Sequence, residues 1–453
     1  MIPLTHLTGQ KIAVLGLSRT GQATARAALA GGAQVDVWDD NPDNPTPEGA
    51  TRLNFPEQGF DDHAALVMSP GIPLTHPRPH NAVLLAKARS IPVIGDIELL
   101  WRERQNQNPF IGITGTNGKS TSTALLGHVL GSGGLSPAIG GNIGDAVLSL
   151  DPPPLGAPFV LEVSSYQLDL CRSTEFAAAA LLNITPDHLS RHGGLSGYID
   201  AKLRIFARQR VGNLALVGVD DEHGKTIAAA LSHHSRASVL SVTTARPLDY
   251  GVSAYGGDLR LNGQHILDLR TIPTLAGAHN WQNAAVAAGL AWHAGLTAEQ
   301  IVDGISTFPG LAHRQELLGT KNGLSFVNDS KATNAEAAAV ALRAFKNVYW
   351  LAGGQAKDGG LQAALHDLAD VKAAFVYGEC AADFQAQLSS KPFSTQAFSS
   401  LEDAFGAALA TAEADSLDSA TILLAPAAAS WDQFASFEAR GDVFRALADD
   451  YLN

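Results

Sequence analysis

Apolar runs of four or five residues alternate along the chain with longer amphipathic or Ala-rich stretches, and glycine turns separate them. The first unit has an apolar run at 12–15, a glycine turn at 16–21, an Ala-rich helical stretch and a second run at 35–38 that ends on Asp39 and Asp40. That is the pattern of a βαβ unit. A run at 64–68 enters the turn Ser69-Pro70-Gly71, and another short run follows at 91–94. Together they predict a Rossmann-like first domain. A second unit opens on the buried run Phe110-Ile111-Gly112 and continues to Pro309-Gly310. Between 243 and 274 its rhythm changes to hairpin-like elements around Asn262-Gly263, which predict a small antiparallel sheet on its flank. A third unit begins near His313, with apolar runs at 348–351, 374–377 and 422–425. The expected fold is α/β in three domains, at 1–104, 105–311 and 312–453, without internal repeats.

Length agrees, since 453 residues at a typical size of about 150 per domain suggest three cores. A chain 45% hydrophobic and 17% charged, with 44 Gly and 22 Pro, belongs among globular proteins rich in turns. The net charge of −13 argues against a sequence-independent grip on nucleic acid or anionic lipid, so phosphate binding must be local. Residues 1–17 lack the basic stretch and cleavage site of a signal peptide, and no apolar run is long enough to span a bilayer. A cytoplasmic protein without membrane insertion is expected. Cys171 and Cys380 form no CxxC pair and are expected to act as small core residues.

The strongest chemical signal is Gly112-Ile-Thr-Gly115-Thr116-Asn117-Gly118-Lys119-Ser120-Thr121, set between an apolar strand and the helical run 124–130. Such a turn aims backbone N–H groups at phosphate oxygens, the helix N-terminus adds positive potential, and Lys119 and Ser120 can reach phosphate and Mg²⁺. Gly112 lies one residue further from Gly118 than a strict Walker A pattern requires. Glu162, ending the apolar run 159–161, is expected at the end of a buried strand, where its carboxylate would suit Mg²⁺ as a hard-oxygen ligand. His188 follows Thr185-Pro186-Asp187 in a turn where a ligand or substrate role is expected. Leu195, Tyr198, Ile199, Leu203, Ile205 and Phe206 form an apolar stripe at helical spacing with Lys202 near its centre. That lysine must snorkel, pair or be modified. In the first domain, Gly16-Leu-Ser18-Arg19-Thr20-Gly21 is similar to a dinucleotide fingerprint with Asp39 downstream, but Ser18 replaces its middle glycine and would crowd a dinucleotide pyrophosphate.

The string 114–121 resembles the ATP loop of the Mur ligase family, which includes the folylpolyglutamate synthases. Further segments match in order over essentially the whole chain: Leu161-Glu162-Val-Ser-Ser-Tyr-Gln-Leu168, Asn183-Ile-Thr-Pro-Asp-His188, Gly277-Ala-His-Asn280-Trp-Gln-Asn283, Gly310-Leu-Ala-His-Arg314 and Phe326-Val-Asn-Asp329-Ser-Lys-Ala-Thr333-Asn334. The resemblance implies ATP as nucleotide on 115–121, with Asn283 on the adenine and Arg314 and Asp329 meeting the nucleotide from the third domain. It also implies two Mg²⁺ ions held by Ser120, Glu162, His188 and a carbamylated Lys202, with Lys119, His188 and Lys202 catalytic. Ser18, Arg19, Thr20, Asp39, Asp40, Ser69, Gly71, Asn142 and His188 would hold the UDP part of a muramyl substrate.

The segment 328–334 resembles that of the D-glutamate-adding members, and the third domain lacks the Asp-Asn-Pro-Arg string of members that add lysine or diaminopimelate. Thr333, Lys357, Ser430 and Phe437 are then the D-glutamate site, suited to a small dianion. The implied activity is ATP-dependent ligation of D-glutamate to UDP-N-acetylmuramoyl-L-alanine through an acyl phosphate, in peptidoglycan synthesis, by a monomer. Two other readings of the residues stay open: an NAD-dependent oxidoreductase and a P-loop switch whose output is a protein contact.

Overall fold

The computed structural model describes every residue except Asp358. The described residues form three sheets. The first is parallel, and its strands follow one another across the sheet as Thr51–Arg52, Gln34–Trp38, Lys11–Leu15, Ala65–Met68 and Val93–Ile94. The strand order reverses between Lys11–Leu15 and Ala65–Met68, so the turns leaving these two strands lie side by side. They touch: Ser69 Oγ donates to the Gly16 carbonyl at 3.2 Å, and a side chain on Gly16, at φ +89°, would stand 2.8 Å from Ser69 Cβ. The glycines of this turn are therefore needed for packing as well as for the turn itself.

The second sheet has nine strands, in the order Gln264–Asp268, Asp258–Leu261, Val252–Tyr255, Ser238–Thr243, Leu214–Gly218, Ala178–Leu181, Phe110–Thr114, Phe159–Glu162 and Ala138–Gly141. The segment expected to form a separate antiparallel sheet instead extends this one. Val252 pairs in parallel with Val242, and Asp258–Leu261 then runs antiparallel to both its neighbours, Val252–Tyr255 and Gln264–Asp268. The extension pairs with the Val242–Thr243 end of the strand Ser238–Thr243, covering part of what would otherwise be an open edge. It also gives the helix Ala278–His293 a longer apolar floor, on which Gly289 approaches Val252 and Leu216 closely. Asn262 and Gly263 both have positive φ, as a type I′ hairpin turn demands.

The third sheet runs Glu316–Lys321, Leu324–Asn328, Ala420–Leu424, Val348–Gly353, Val371–Tyr377 and Ser394–Phe398, parallel except for its first strand. The chain gathers into two compact units, one of Met1–Thr271 with Ala278–Phe308 and one of Ile272–Gly277 with Pro309–Asn453. No helix among the described residues is long and apolar enough to cross a membrane. Cys380 is buried and Cys171 half-buried, both as free thiols.

The first two sheets share a unit, and Glu98 is one cause. It lies on the helix Asp96–Arg104 that leads out of the first sheet, and it is fully buried. Its Oε2 accepts the N–H groups of Arg172, Ser173 and Thr174 at 2.9–3.0 Å and the Thr174 hydroxyl at 2.7 Å, while Oε1 meets Arg102 at 2.9 Å. Burial alone would raise the carboxyl's pKa, but these donors and the Arg102 charge outweigh it and hold it below the ordinary 4.5. Replacing Glu98 by Gln sets an NH₂ group against donors, and we expect a loss of about 2–4 kcal/mol, measured as a lower urea midpoint at unchanged slope. Because the folded pKa is depressed, the carboxylate's contribution is whole above pH 4.5 and disappears as pH falls through the folded value. The difference between wild type and Glu98→Gln should therefore close on acidification.

Candidate active site

Three adjacent strands of the central sheet, Ala178–Leu181, Phe110–Thr114 and Phe159–Glu162, point their carboxyl ends the same way. Each exits into a segment singled out by sequence, which is why residues far apart in the chain meet. From Phe110–Thr114 the chain enters the loop 115–118 and then the helix Lys119–Ser132. Gly115 and Gly118 have positive φ, and Gly118 is the left-handed N-cap from which the helix starts. The loop is braced from behind. Asn183 Oδ1 accepts the Asn117 N–H at 2.9 Å, Thr116 Oγ1 lies 3.0 Å from the Tyr198 hydroxyl, and Ser122 Oγ donates to Asn283 Oδ1 at 3.0 Å. Lys119 Nζ bends back over the loop to the carbonyls of Gly115 and Thr116, at 3.0 and 2.7 Å.

Glu162 ends its strand opposite Ile113 and is 2% exposed. Asn142 Nδ2 donates to its Oε1 at 2.9 Å, whereas Oε2 is buried without a hydrogen-bond partner among the described residues. A buried carboxylate oxygen left open is costly, and a hard cation is the group such an oxygen suits. Asn142, expected at the UDP site, thus sits on the candidate metal ligand. His188 occupies the N-cap of the one-turn helix Leu189–His192 at φ +51°; its side chain is half exposed, with its ring centre 5.0 Å from that of Tyr166.

Lys202 is buried, only 2% exposed, on the helix Leu195–Leu203. The stripe seen in sequence continues past that helix into a 3-10 turn, Arg204–Phe206. Of the three fates open to this lysine, snorkelling is excluded by burial. Its Nζ donates to the Gly115 carbonyl at 2.7 Å and to Thr114 Oγ1 at 3.4 Å, and it lies 4.6 Å from the centre of the Tyr198 ring. Burial and then the nearby Lys119 charge bring its pKa down to about 7, against the weaker pull of Asp187 and Glu162. The site thus favours the neutral amine more than water does.

At the first sheet's switch point, Asp39 accepts the Leu17 and Asn41 N–H groups, and Asp40 faces Trp38 Nε1 at 3.0 Å and His80 Nε2 at 3.1 Å. Ser18 caps the helix Arg19–Ala30 without a side-chain bond, and Arg19 and Thr20 form its first turn. Ser69 and Gly71 belong to the facing turn.

In the second unit, the exits of Leu324–Asn328, Ala420–Leu424 and Val348–Gly353 converge in the same manner. Ala427 N–H donates to the Ala332 carbonyl at 2.9 Å, tying the 425–430 loop to the turn carrying Thr333. Gln355 and Ala429 exchange backbone hydrogen bonds, which sets the segment leading to Lys357 beside Ser430. Lys357 lines a cleft of about 550 Å³ with Gln362, Asp383 and Gln387. Lys331 lies 3.9 Å from the Phe437 ring centre. Burial raises the Asp329 pKa to about 7 against the pull of Arg314.

Sequence reasoning missed Arg440, which is completely buried and donates to Ser330 Oγ, the Ser330 carbonyl and the Gly353 carbonyl at 2.9–3.2 Å. It binds two of the three converging loops together. Its only signal in sequence was its place one helical turn beyond Phe437.

A glycine loop at a helix N-terminus, a buried carboxylate with one open oxygen and a buried amine meet at the carboxyl ends of these strands, an arrangement suited to nucleotide chemistry, and the chain belongs to the Mur ligase family. Residues 113–291 match the Mur ligase middle domain and 313–428 the Mur ligase glutamate ligase domain. The chain is 45% identical to the UDP-N-acetylmuramoylalanine--D-glutamate ligase of Caulobacter sp. (strain K31), covering 99% of this chain and 98% of that protein. It is 44% identical to the enzyme of the same name from Paramagnetospirillum magneticum, over 100% and 99%. Among solved structures, UDP-N-acetylmuramate-alanine ligase MurC of Thermotoga maritima superimposes with TM-score 0.59 at 16% identity, over 97% of this chain and 99% of that one, a likeness of fold.

The tight packing at Gly118 makes a direct test of the loop. A methyl group there would collide with Asn283 Oδ1 at a φ of +84° that disfavours any side chain. Gly118→Ala is expected to weaken ATP binding at least about tenfold, by nucleotide titration, while the melting temperature stays within a few degrees.

Proposed function

We propose that the protein joins the amine of D-glutamate to the carboxylate of UDP-N-acetylmuramoyl-L-alanine, with ATP converted to ADP and phosphate, as a cytoplasmic step of peptidoglycan precursor synthesis. The observation that carries the reading is the phosphate loop with Glu162 and Lys202 buried beside it, in a chain that matches D-glutamate ligases over its whole length.

ATP binds with its phosphates on loop 115–121, against the N–H groups opening the helix Lys119–Ser132 and the Lys119 ammonium. Ser120, Glu162, His188 and modified Lys202 would hold Mg²⁺, which supplies charge neutralisation at the phosphates. The open Oε2 of Glu162 fits that role. Lys202 fits it only once modified: its neutral amine adds CO₂, forming an N–C bond and releasing one proton, and the side chain becomes an anionic oxygen ligand.

A carboxylate oxygen of the muramyl substrate attacks the γ-phosphorus, and the bond to the ADP oxygen breaks. The product is an acyl phosphate. The D-glutamate amine, with its carboxylates placed by Lys357, Thr333, Ser430 and the turn at Phe437, then attacks the acyl carbon. The carbon–oxygen bond to phosphate breaks, the nitrogen loses its proton, and an amide remains. The ionised carboxylate itself would be a very poor acyl donor at neutral pH.

Two experiments test this. Phosphate release with UDP-N-acetylmuramoyl-L-alanine and a panel of amino acids should require D-glutamate, with little turnover on L-alanine, L-lysine or diaminopimelate; preference for another acceptor would overturn the assignment. Lys202→Ala should lose most activity and regain part of it with acetate, while Lys202→Arg stays inactive although it keeps the positive charge. Electron density beyond Nζ in a crystal is the direct readout, and a bare ammonium in active enzyme would exclude the carbamate.

A further inference from the structure

The helix Leu189–His192 is one turn long, yet it is held from two sides. Arg191 Nη1 donates to the Gly71 carbonyl at 3.1 Å, and Nη2 donates to the carbonyls of Ile72 and Pro70 at 2.9 and 3.3 Å. The same guanidinium lies 4.8 Å from the centre of the Tyr166 ring. On the other side, buried His192 has Nε2 2.9 Å from Ser165 Oγ and Nδ1 3.4 Å from Asp169 Oδ2, and its ring stacks on Tyr166 at 5.4 Å. Tyr166 therefore meets His188, Arg191 and His192 at once.

Three carbonyls from consecutive residues all accept from this one guanidinium. They belong to the turn leaving Ala65–Met68, the switch-point turn of the first sheet, while the helix bearing Arg191 starts at His188 beside the central sheet's phosphate loop. In the function proposed above, the muramyl substrate must be held by its UDP end at the first sheet while its carboxylate reaches the γ-phosphate at the second. The distance between those places depends on how the 69–72 turn sits against His188. A one-turn helix has too little hydrogen bonding of its own to set that distance.

We infer that Arg191 is a positioning residue for the first half-reaction: it fastens the 70–72 backbone to the His188 helix and so sets where the muramyl carboxylate meets ATP. The inference rests on the proposed function. Arginine suits the task because its planar fork satisfies several carbonyls together while its face stacks on Tyr166, which a lysine ammonium cannot do.

The test uses the full chain with Arg191→Lys and Arg191→Ala. At saturating ATP and D-glutamate, KM for UDP-N-acetylmuramoyl-L-alanine should rise about tenfold or more and kcat should fall, since near-attack geometry is lost with the turn. KM for ATP should stay within about twofold and the melting temperature within a few degrees, with Arg191→Lys serving if the alanine variant folds poorly. Calorimetric titration of UDP-N-acetylmuramoyl-L-alanine without ATP should show the same loss of affinity. An unchanged KM and affinity in Arg191→Lys overturns the inference, as does a parallel rise in both KM values with a lowered melting temperature. If the wild-type protein neither binds nor turns over this substrate, the functional reading itself fails and the inference falls with it.

Discussion

Charge is expensive to bury, and the central sheet's carboxyl ends bury an acidic oxygen and an amine beside the glycine loop that opens the helix Lys119–Ser132. Glu162 keeps one oxygen open, and Lys202 is held by a carbonyl, a hydroxyl and an aromatic face. Neither arrangement is the cheapest for a resting protein. Both make sense where polyphosphate and its counter-cations complete the electrostatics. The rest of the first unit can be understood as support for that edge: Tyr198 braces the loop through Thr116, Asn283 through Ser122, and Asn183 through Asn117.

The same architectural device is used in each sheet. Parallel strands bring their carboxyl ends to one edge, and where strand order reverses the exit loops diverge and leave room for a ligand. At the first sheet this gathers the Gly16 and Ser69 turns, and at the second the exits toward Gly115, Asn142 and Asn183. At the third it gathers the loops of Thr333, Lys357 and Ser430. Two buried charged side chains fasten backbone segments around the sheets, one where the chain enters a central strand and one at the exit loops of the third sheet. Glu98 collects the N–H groups at 172–174, and Arg440 collects Ser330 and Gly353 oxygens. Each replaces what would be several separate backbone contacts, and each would leave a costly set of unpaired groups if removed.

Sequence alone determined the elements and the chemistry of the loop. Apolar runs of strand length, glycines at positive φ and the Asn262-Gly263 turn depend on local backbone preference, which neighbouring residues express without help from the rest of the chain. The burial of Lys202 was likewise readable from helical periodicity, because its stripe is a local pattern. Tertiary structure decided what distant residues do to each other. It made 252–268 an extension of the main sheet, since an open edge and an apolar helix face invited it. It put Asn142 on Glu162, brought Arg191 to three carbonyls 119 to 121 positions away, and closed Arg440 over Ser330 and Gly353. Carbonyl and amide partners leave no side-chain signature to read, so contacts made by backbone across such separations become visible only when the sheets have folded.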